Sequence, residues 1–191
     1  MKNNDIFRQE INKACEILRA GGVILYPTDT IWGIGCDATN SEAVKRIFDI
    51  KKREDSKSML SLVGSDGMLQ QYVKDIPDIA WELIDAAVAP LTIIYDSPQF
   101  ISEKLLAEDG SAGFRITHEE FSKALCLKMR CPIVSTSANI SGTKSPTTFK
   151  DISDEIKSNV DYIVNYGKDN DNAKPSNIIK LSNDSVIKII R

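Results

Sequence analysis

Three polar clusters in this sequence carry the residue types that anion chemistry needs. The first is Tyr26-Pro27-Thr28-Asp29-Thr30-Ile31-Trp32-Gly33-Ile34-Gly35, in which hydroxyls, an aromatic ring and glycines follow an apolar stretch at once. The second is Lys51-Lys52-Arg53-Glu54-Asp55-Ser56-Lys57. Lys51, Arg53 and Lys57 converging on one mouth would suit a triphosphate, whose charge is matched by an arginine fork together with lysine point charges. The third is Pro132-Ile133-Val134-Ser135-Thr136-Ser137-Ala138-Asn139-Ile140-Ser141-Gly142, an apolar strand that runs into a loop of small hydroxyl and amide residues. Hydroxyls and backbone N–H groups in such a loop can cradle an anion.

Each cluster also has a plainer reading. Gly33 and Gly35 suit an ordinary turn, and they lack the third glycine and the helix of a dinucleotide fingerprint. Cations at a helix end answer its dipole. That accounts for Lys45, Arg46 and Lys52, and less well for Lys57, which lies past the helix and directly before the next strand. Ser/Asn-rich turns form for local hydrogen-bonding reasons. No GxxxxGK[ST] stretch occurs, so ATP use here is not of the P-loop kind. Ser135, Ser137 and Ser141 have no GxSxG context, and the lone His118 reads as a cap for the helix that starts at Glu119. The residues alone therefore describe an anion-binding cleft and no nucleophile–base pair.

The elements that must position these clusters alternate along the chain. Phe7, Ile11, Ala14, Cys15 and Leu18 make one helical stripe, opened by Asp5 and closed by Gly21-Gly22. Val23–Tyr26 reads as a buried strand, Ser41 opens a second helix, and Met59–Val63 is a strand. Pro77 sits in the first turn of a helix carrying Ala80, Leu83, Ile84 and Ala87. Further strands are expected at Leu91–Tyr95, Gly113–Ile116, Pro132–Ser135, Tyr162–Asn165, Ile178–Leu181 and Val186–Ile190. Helices are expected at Ser102–Leu106, Glu119–Met129 and Ile152–Asn159, and a hairpin turn at Asn183-Asp184. Strands alternating with helices predict an α/β fold with a mixed sheet. In such sheets polar clusters beyond the carboxyl ends of strands are where ligands sit.

Composition narrows the classes. The chain's 191 residues suit one domain, 1–191, and 42% hydrophobic residues are enough to bury a core. A net charge of −3 offers no global basic field for nucleic acid, so an anion site must be local. Four scattered cysteines and one histidine give neither a disulfide scaffold nor a zinc site and fit a reducing, cytoplasmic setting. The N-terminus has no signal-peptide core, and no apolar run approaches the roughly 20 residues of a membrane span.

In order along the chain, the stretch GGVILYPTDTIWGIGCDA, the Lys51-Lys52-Arg53 and Lys57 region, Pro90-Leu91-Thr92, Gly113-Phe114-Arg115, Ser137-Ala138-Asn139 and Lys174-Pro175-Ser176 resemble the motifs of the YrdC family, the threonylcarbamoyl-AMP synthases of tRNA modification. The resemblance covers nearly the whole chain. It implies a single-domain twisted mixed α/β sheet with flanking helices and a concave electropositive cleft, in the short form without a second domain. It implies a nucleotidyltransferase that makes threonylcarbamoyl-AMP and pyrophosphate from L-threonine, bicarbonate and ATP, with Mg²⁺ accompanying the ATP. Other proteins would then move the threonylcarbamoyl group to tRNA.

By motif position, Thr30, Arg115, Ser137 and Ser176 would hold threonine. Arg53, Lys57, Ser111, Asn139, Thr147 and Arg191 would contact the nucleotide. Lys51, Arg53, Ser137 and Asn139 would form the catalytic set. The sequence departs from the family's pattern at Trp32, usually tyrosine, and at Ala89, Lys52, Glu54, Leu62 and Asn177. Leu62 stands where some members carry a threonine-contacting histidine. Arg191 would bring its α-carboxylate beside a phosphate. The alternatives are a tRNA- or double-stranded-RNA-binding protein and a YciO-type paralogue of different activity.

Overall fold

The structure is a computed structural model that describes residues 2–52, 59–169 and 175–191. Its strands are β1 (Ile24–Tyr26), β2 (Gly33–Gly35), β3 (Leu60–Val63), β4 (Leu91–Tyr95), β5 (Ala112–Ile116), β6 (Ile133–Ser137), β7 (Tyr162–Ile163), β8 (Asn177–Leu181) and β9 (Ile187–Ile189). They form one sheet in the order β7-β1-β2-β6-β3-β5-β4-β8-β9. The pairs β1/β7, β3/β5 and β4/β8 are parallel and the others antiparallel, which is the mixed sheet expected. The helices are α1 (Lys2–Arg19), α2 (Ser41–Lys51), α3 (Asp66–Tyr72), α4 (Asp78–Ala86), α5 (Glu120–Met129) and α6 (Asp154–Asn159). The segment expected as a helix at Ser102–Leu106 is a single 3-10 turn, Glu103–Leu105. Among the described residues no helix is long and apolar enough to cross a membrane.

Local chemistry sets the helix boundaries. Asn40 Oδ1 accepts from Glu42 N and Ala43 N, both at 3.1 Å, so the cap of α2 lies one residue before Ser41. At α5 the cap is Glu119, not His118: its carboxylate accepts from Phe121 N at 3.0 Å and Ser122 N at 2.7 Å. Asp5 lies within the first turn of α1 rather than ahead of it, where its charge complements the helix dipole. Arg46 sits in the middle of α2 and grips Asp161 at 2.8 and 3.0 Å, while Asp161 also accepts from Val23 N. That grip ties α2 to the strands β1 and β7.

Two apolar clusters hold the layers together. One joins Ile11, Cys15 and Leu18 of α1, Met68 and Tyr72 of α3, and Phe121 and Leu125 of α5 to Ile93, Tyr95, Phe114 and Leu181 of the sheet. The other joins Val44, Ile47 and Phe48 of α2 and Ile156 of α6 to Leu25, Ile34 and Val134. Alternation sends Ile133 to the first cluster and Val134 to the second, so β6 is buried on both faces.

β2 is the element that the sequence hides. Gly33-Ile34-Gly35 pairs with β1 in the register Ile24↔Gly35 and Tyr26↔Gly33, and with β6 through Gly33↔Ser137. The hydroxyl cluster is therefore the loop of a hairpin. Gly35 is required for contact rather than for conformational freedom. A Cβ there would lie 2.5 Å from Val134 O and 2.6 Å from the Tyr26 ring. Gly35→Ala is expected to destabilise the protein by about 2–3 kcal/mol, as overpacking against fixed backbone does. Gly67→Ala, where an added Cβ meets nothing within 4 Å, should raise stability slightly. Urea unfolding of both variants checks the pair; equal effects would show that the β2 contact is read wrongly.

Candidate active site

The register of β3, β4, β5, β6 and β8 collects one set of side chains on one face. Leu60 pairs with Ser135, Leu62 with Arg115 and Thr92 with Ile178, and Gly113 lies opposite Ile94. The alternate residues Phe114, Ile93, Tyr95 and Ile179 go into the core. Over the first set lies an open cavity of about 250 Å³, whose polar wall is made by Thr30, Thr92, Arg115, Ser135, Ser137, Ser145, Ser176 and Arg191.

Arg115 is the centre of that wall, only 3% exposed. Its Nη2 lies 2.9 Å from Asp29 Oδ1 and donates to Thr30 Oγ1 at 3.3 Å, whereas its Nε is buried with no partner. Burial pulls the arginine's pKa down and the Asp29 charge opposes that shift. For Asp29, burial pushes the carboxyl up and Arg115 pulls it back. Thr30 is held by a stapled turn. Its N–H donates to Thr28 Oγ1 at 3.1 Å, and Thr28 Oγ1 donates to Ile31 O at 2.8 Å. Ser176, 3% exposed, shares a hydrogen bond of 3.0 Å with Thr92 Oγ1, and its carbonyl accepts from Arg191 Nε at 3.2 Å.

Lys51 organises the other end. It is the last residue of α2, 1% exposed, and its ammonium donates to Ser137 O at 2.5 Å and Asn139 O at 2.7 Å. Ser141 N in turn donates to Lys51 O at 2.8 Å. The Asn139 amide group donates to Ile140 O at 3.0 Å and Thr143 O at 2.8 Å, which leaves Asn139 Oδ1 buried and unpartnered. Lys52, which replaces the family's usual glycine, takes the left-handed conformation, φ 47 and ψ 46, and reaches Glu155 at 2.7 Å.

Of the expected site residues, Thr30, Arg115, Ser137, Ser176 and Arg191 line the one cavity. Lys51 and Asn139 stand behind Ser137 in the loop after β6. Ser111 and Thr147 do not line it. Ser111 Oγ donates to Asp109 at 2.6 Å, and Thr147 Oγ1 donates to Asp151 at 2.9 Å. Arg53 and Lys57, with Glu54, lie outside the described residues. The sequence reading passed over Ser135, Ser145 and Thr92 as site residues. Thr92 had a signal, since it is the lone polar residue inside the strand Leu91–Tyr95, and Ser135 shares the strand parity of Ser137.

A family model named for Sua5, YciO and YrdC, and described as "Telomere recombination", matches residues 16–191. A putative threonylcarbamoyl-AMP synthase of Methanocaldococcus jannaschii is 34% identical over 194 residues, covering 99% of this chain and 90% of that protein. The threonylcarbamoyl-AMP synthase of Escherichia coli (strain K12) is 32% identical over 143 residues, covering 73% of this chain and 75% of the relative. Among solved structures, P. abyssi Sua5 complexed with L-threonine superposes with a TM-score of 0.82 at 27% identity over 90% of this chain. This chain spans 50% of that Sua5's length. E. coli YciO superposes with a TM-score of 0.81 at 26% identity, covering 95% of this chain and 87% of YciO.

The Lys51 bonds make a direct claim on stability. Lys51→Met keeps the stem and removes the donor to two carbonyls, so it is expected to cost about 1–3 kcal/mol. Amide hydrogen exchange should also quicken at Ser141, whose N–H is held by the Lys51 carbonyl. Unchanged exchange there, measured on the folded variant, would show that the ammonium does not organise the loop.

Proposed function

This chain belongs to the Sua5/YciO/YrdC family, and on that footing we propose that it joins L-threonine, bicarbonate and ATP into threonylcarbamoyl-AMP and pyrophosphate. The observation that carries this reading is one buried arginine, with an unpartnered Nε, among the hydroxyls of Thr30, Ser135, Ser137 and Ser176. A substrate carboxylate takes the guanidinium donors that Asp29 and Thr30, both at Nη2, leave open, and a substrate hydroxyl finds partners within the same wall. An amino acid lacking that hydroxyl leaves buried polar groups unpaired, which is the basis of selection.

The threonine nitrogen bonds to the bicarbonate carbon and a water leaves, giving the N-carboxylate. One carboxylate oxygen then bonds to the α-phosphorus of ATP as the bond to pyrophosphate breaks. Nothing covalent forms on the protein; its part is to align the two substrates and to stabilise the charge that develops. Threonine occupies the Arg115 end. The nucleotide lies toward Ser137, Asn139, Ser145 and Arg191, with Arg53 and Lys57 of the basic loop on its phosphates. Ser111 and Thr147 contribute to the nucleotide only if they exchange their bonds to Asp109 and Asp151.

Among the described residues no group of three carboxylate, histidine or cysteine side chains could hold a metal. Mg²⁺ would accompany ATP as part of the substrate complex, where its charge would offset that of the phosphates. The product passes to proteins that transfer the threonylcarbamoyl group to tRNA, and ATP supply places the reaction in the cytoplasm. A net charge of −3 disfavours tight direct contact with tRNA. The YciO-type reading, the same fold with another activity, draws on the altered basic loop, where Lys52 occupies a left-handed position.

Product formation with each substrate omitted in turn separates these readings. Pyrophosphate release should require threonine, bicarbonate and ATP together; release that ignores threonine or bicarbonate supports the paralogue. Arg115→Lys should raise the threonine KM by roughly 10–100-fold, since it loses the planar fork, and leave the ATP KM within about threefold.

A further inference from the structure

Arg115 has a second neighbour that the motif assignments leave without a role. Asp29 projects from the stapled turn between β1 and β2, and its carboxylate lies 2.9 Å from Arg115 Nη2, with side-chain exposures of 12% for Asp29 and 2% for Arg115. Asp29 does not belong to the cavity that Arg115 lines. It opens instead on a separate pocket of about 230 Å³ formed by Ile84, Val88, Leu91, Ile116 and His118 among others. The ion pair is thus the partition between two cavities, with its anion behind and its cation in front.

Two consequences follow from this placement. Asp29 and Thr30 both take the guanidinium at Nη2, so Asp29 fixes how the rest of the group is turned, and Nε is left buried without a partner. Asp29 also offsets the charge of Arg115, while Arg191 remains the second cation on the same wall. A buried arginine alone would attract any anion, and phosphates carrying two or more charges most strongly. Paired with a carboxylate about one bond length of hydrogen bonding away, it gains little by taking a polyanion, because the second and later charges meet Asp29's repulsion in a medium of low dielectric. The cleft must hold a monoanionic amino-acid carboxylate beside a triphosphate and its pyrophosphate product without mixing them.

Resting on the threonylcarbamoyl-AMP synthase reading, we propose that Asp29 is a positioning and specificity-determining residue. It orients Arg115 and limits it to one added negative charge, so that the amino-acid end of the cleft excludes inorganic phosphate and pyrophosphate. The burial-driven shifts agree: each partner of the pair opposes the desolvation of the other. The turn that carries Asp29 is braced independently through Thr28 Oγ1, so the carboxylate is in place before any ligand arrives.

The test compares wild type with Asp29→Asn and Asp29→Glu in the full chain, by titration calorimetry with L-threonine and, separately, with inorganic phosphate and pyrophosphate. Asp29→Asn should weaken threonine binding by about tenfold or more and strengthen phosphate binding by a similar factor. Pyrophosphate should become competitive with threonine. Asp29→Glu keeps the charge and shifts the carboxylate, so it should weaken threonine while still excluding phosphate. A second change, Arg115→Gln in the Asp29→Asn background, should abolish the gained phosphate binding.

Asp29→Asn that loses threonine and ATP binding alike, with no gain for phosphate, would overturn the proposal and leave Asp29 a purely structural residue. Should Asp29→Asn fail to fold, Thr28→Val loosens the same turn with the charge kept. It should raise the threonine KM alone; an unchanged threonine KM counts against the proposal. The phosphate arm does not depend on turnover. A wild type that makes no product but shows the Asp29-dependent phosphate exclusion would refute the synthase reading and keep the role of Asp29; the reverse result would refute only the latter.

Discussion

A fully buried lysine ammonium must find oxygen partners, and among the described residues Lys51 finds two in the segment after β6, which curls back over the end of α2. The donors go to Ser137 O and Asn139 O, and the Lys51 carbonyl accepts from Ser141 N. Helix end, strand end and loop are locked by that one residue, through its ammonium and its carbonyl. The strand so locked is the hinge of the sheet, since β6 pairs with β2 on one side and β3 on the other. Its terminal hydroxyl, Ser137, faces the cleft. Leaving such an ammonium unpaired costs several kcal/mol, so the loop has little freedom to depart from this path.

From that fixed point the rest of the cleft follows by register. β3 sets Leu62 beside Arg115, and the Ile93↔Phe114 pair of β4 and β5 brings Thr92 next in line to Arg115, with the Thr92 hydroxyl meeting Ser176. The hydroxyls of the wall are therefore spaced by sheet geometry and not by loops alone, which is the arrangement that holds a small ligand within a fraction of an ångström. Leu62, fully buried, is the residue that β3 sets beside Arg115. Among the described residues, the charged side chains around this wall are Arg115, Asp29 behind it, and Arg191.

How much of this was legible in the sequence depended on the range of the interaction. Long apolar runs such as Leu91–Tyr95 gave their strand to the residue, and the final hairpin was read from its turn. β2 was not, because Gly-Ile-Gly has no two-residue pattern of side chains to show; it is a strand through its pairing with β1 and β6, and glycine is needed there because Tyr26 and the Val134 carbonyl fill the space beside Gly35. α3, only seven residues from Asp66 to Tyr72, is too short for its period to stand out. In the site, family motifs brought Thr30, Arg115, Ser137, Ser176 and Arg191 to one cavity from opposite ends of the chain. Ser111 has the right parity with Gly113 and Arg115. Its hydroxyl is nevertheless drawn away by Asp109 and Lys180, a side-chain competition that spacing does not encode.

The same competition shows where the protein leaves its polar groups unsatisfied. Among the described residues, the buried side-chain atoms without a hydrogen-bond partner belong to Asp29, Trp32, Arg115, Asn139, Ser141 and Tyr95. All but Tyr95 lie in the turn after β1, on β5 at the cleft, or in the loop after β6. Each such group costs about 1–3 kcal/mol when left unmade, and native cores rarely tolerate them together. Of these residues only Arg115 lines the cavity; Asp29 stands 2.9 Å behind it, and Trp32, Asn139 and Ser141 belong to the two loops that border the cleft. The Arg115 Nε is thus the one unpaired buried group that belongs to a residue of the cavity wall, among the described residues, and the other residues, Tyr95 apart, brace the loops on either side of it.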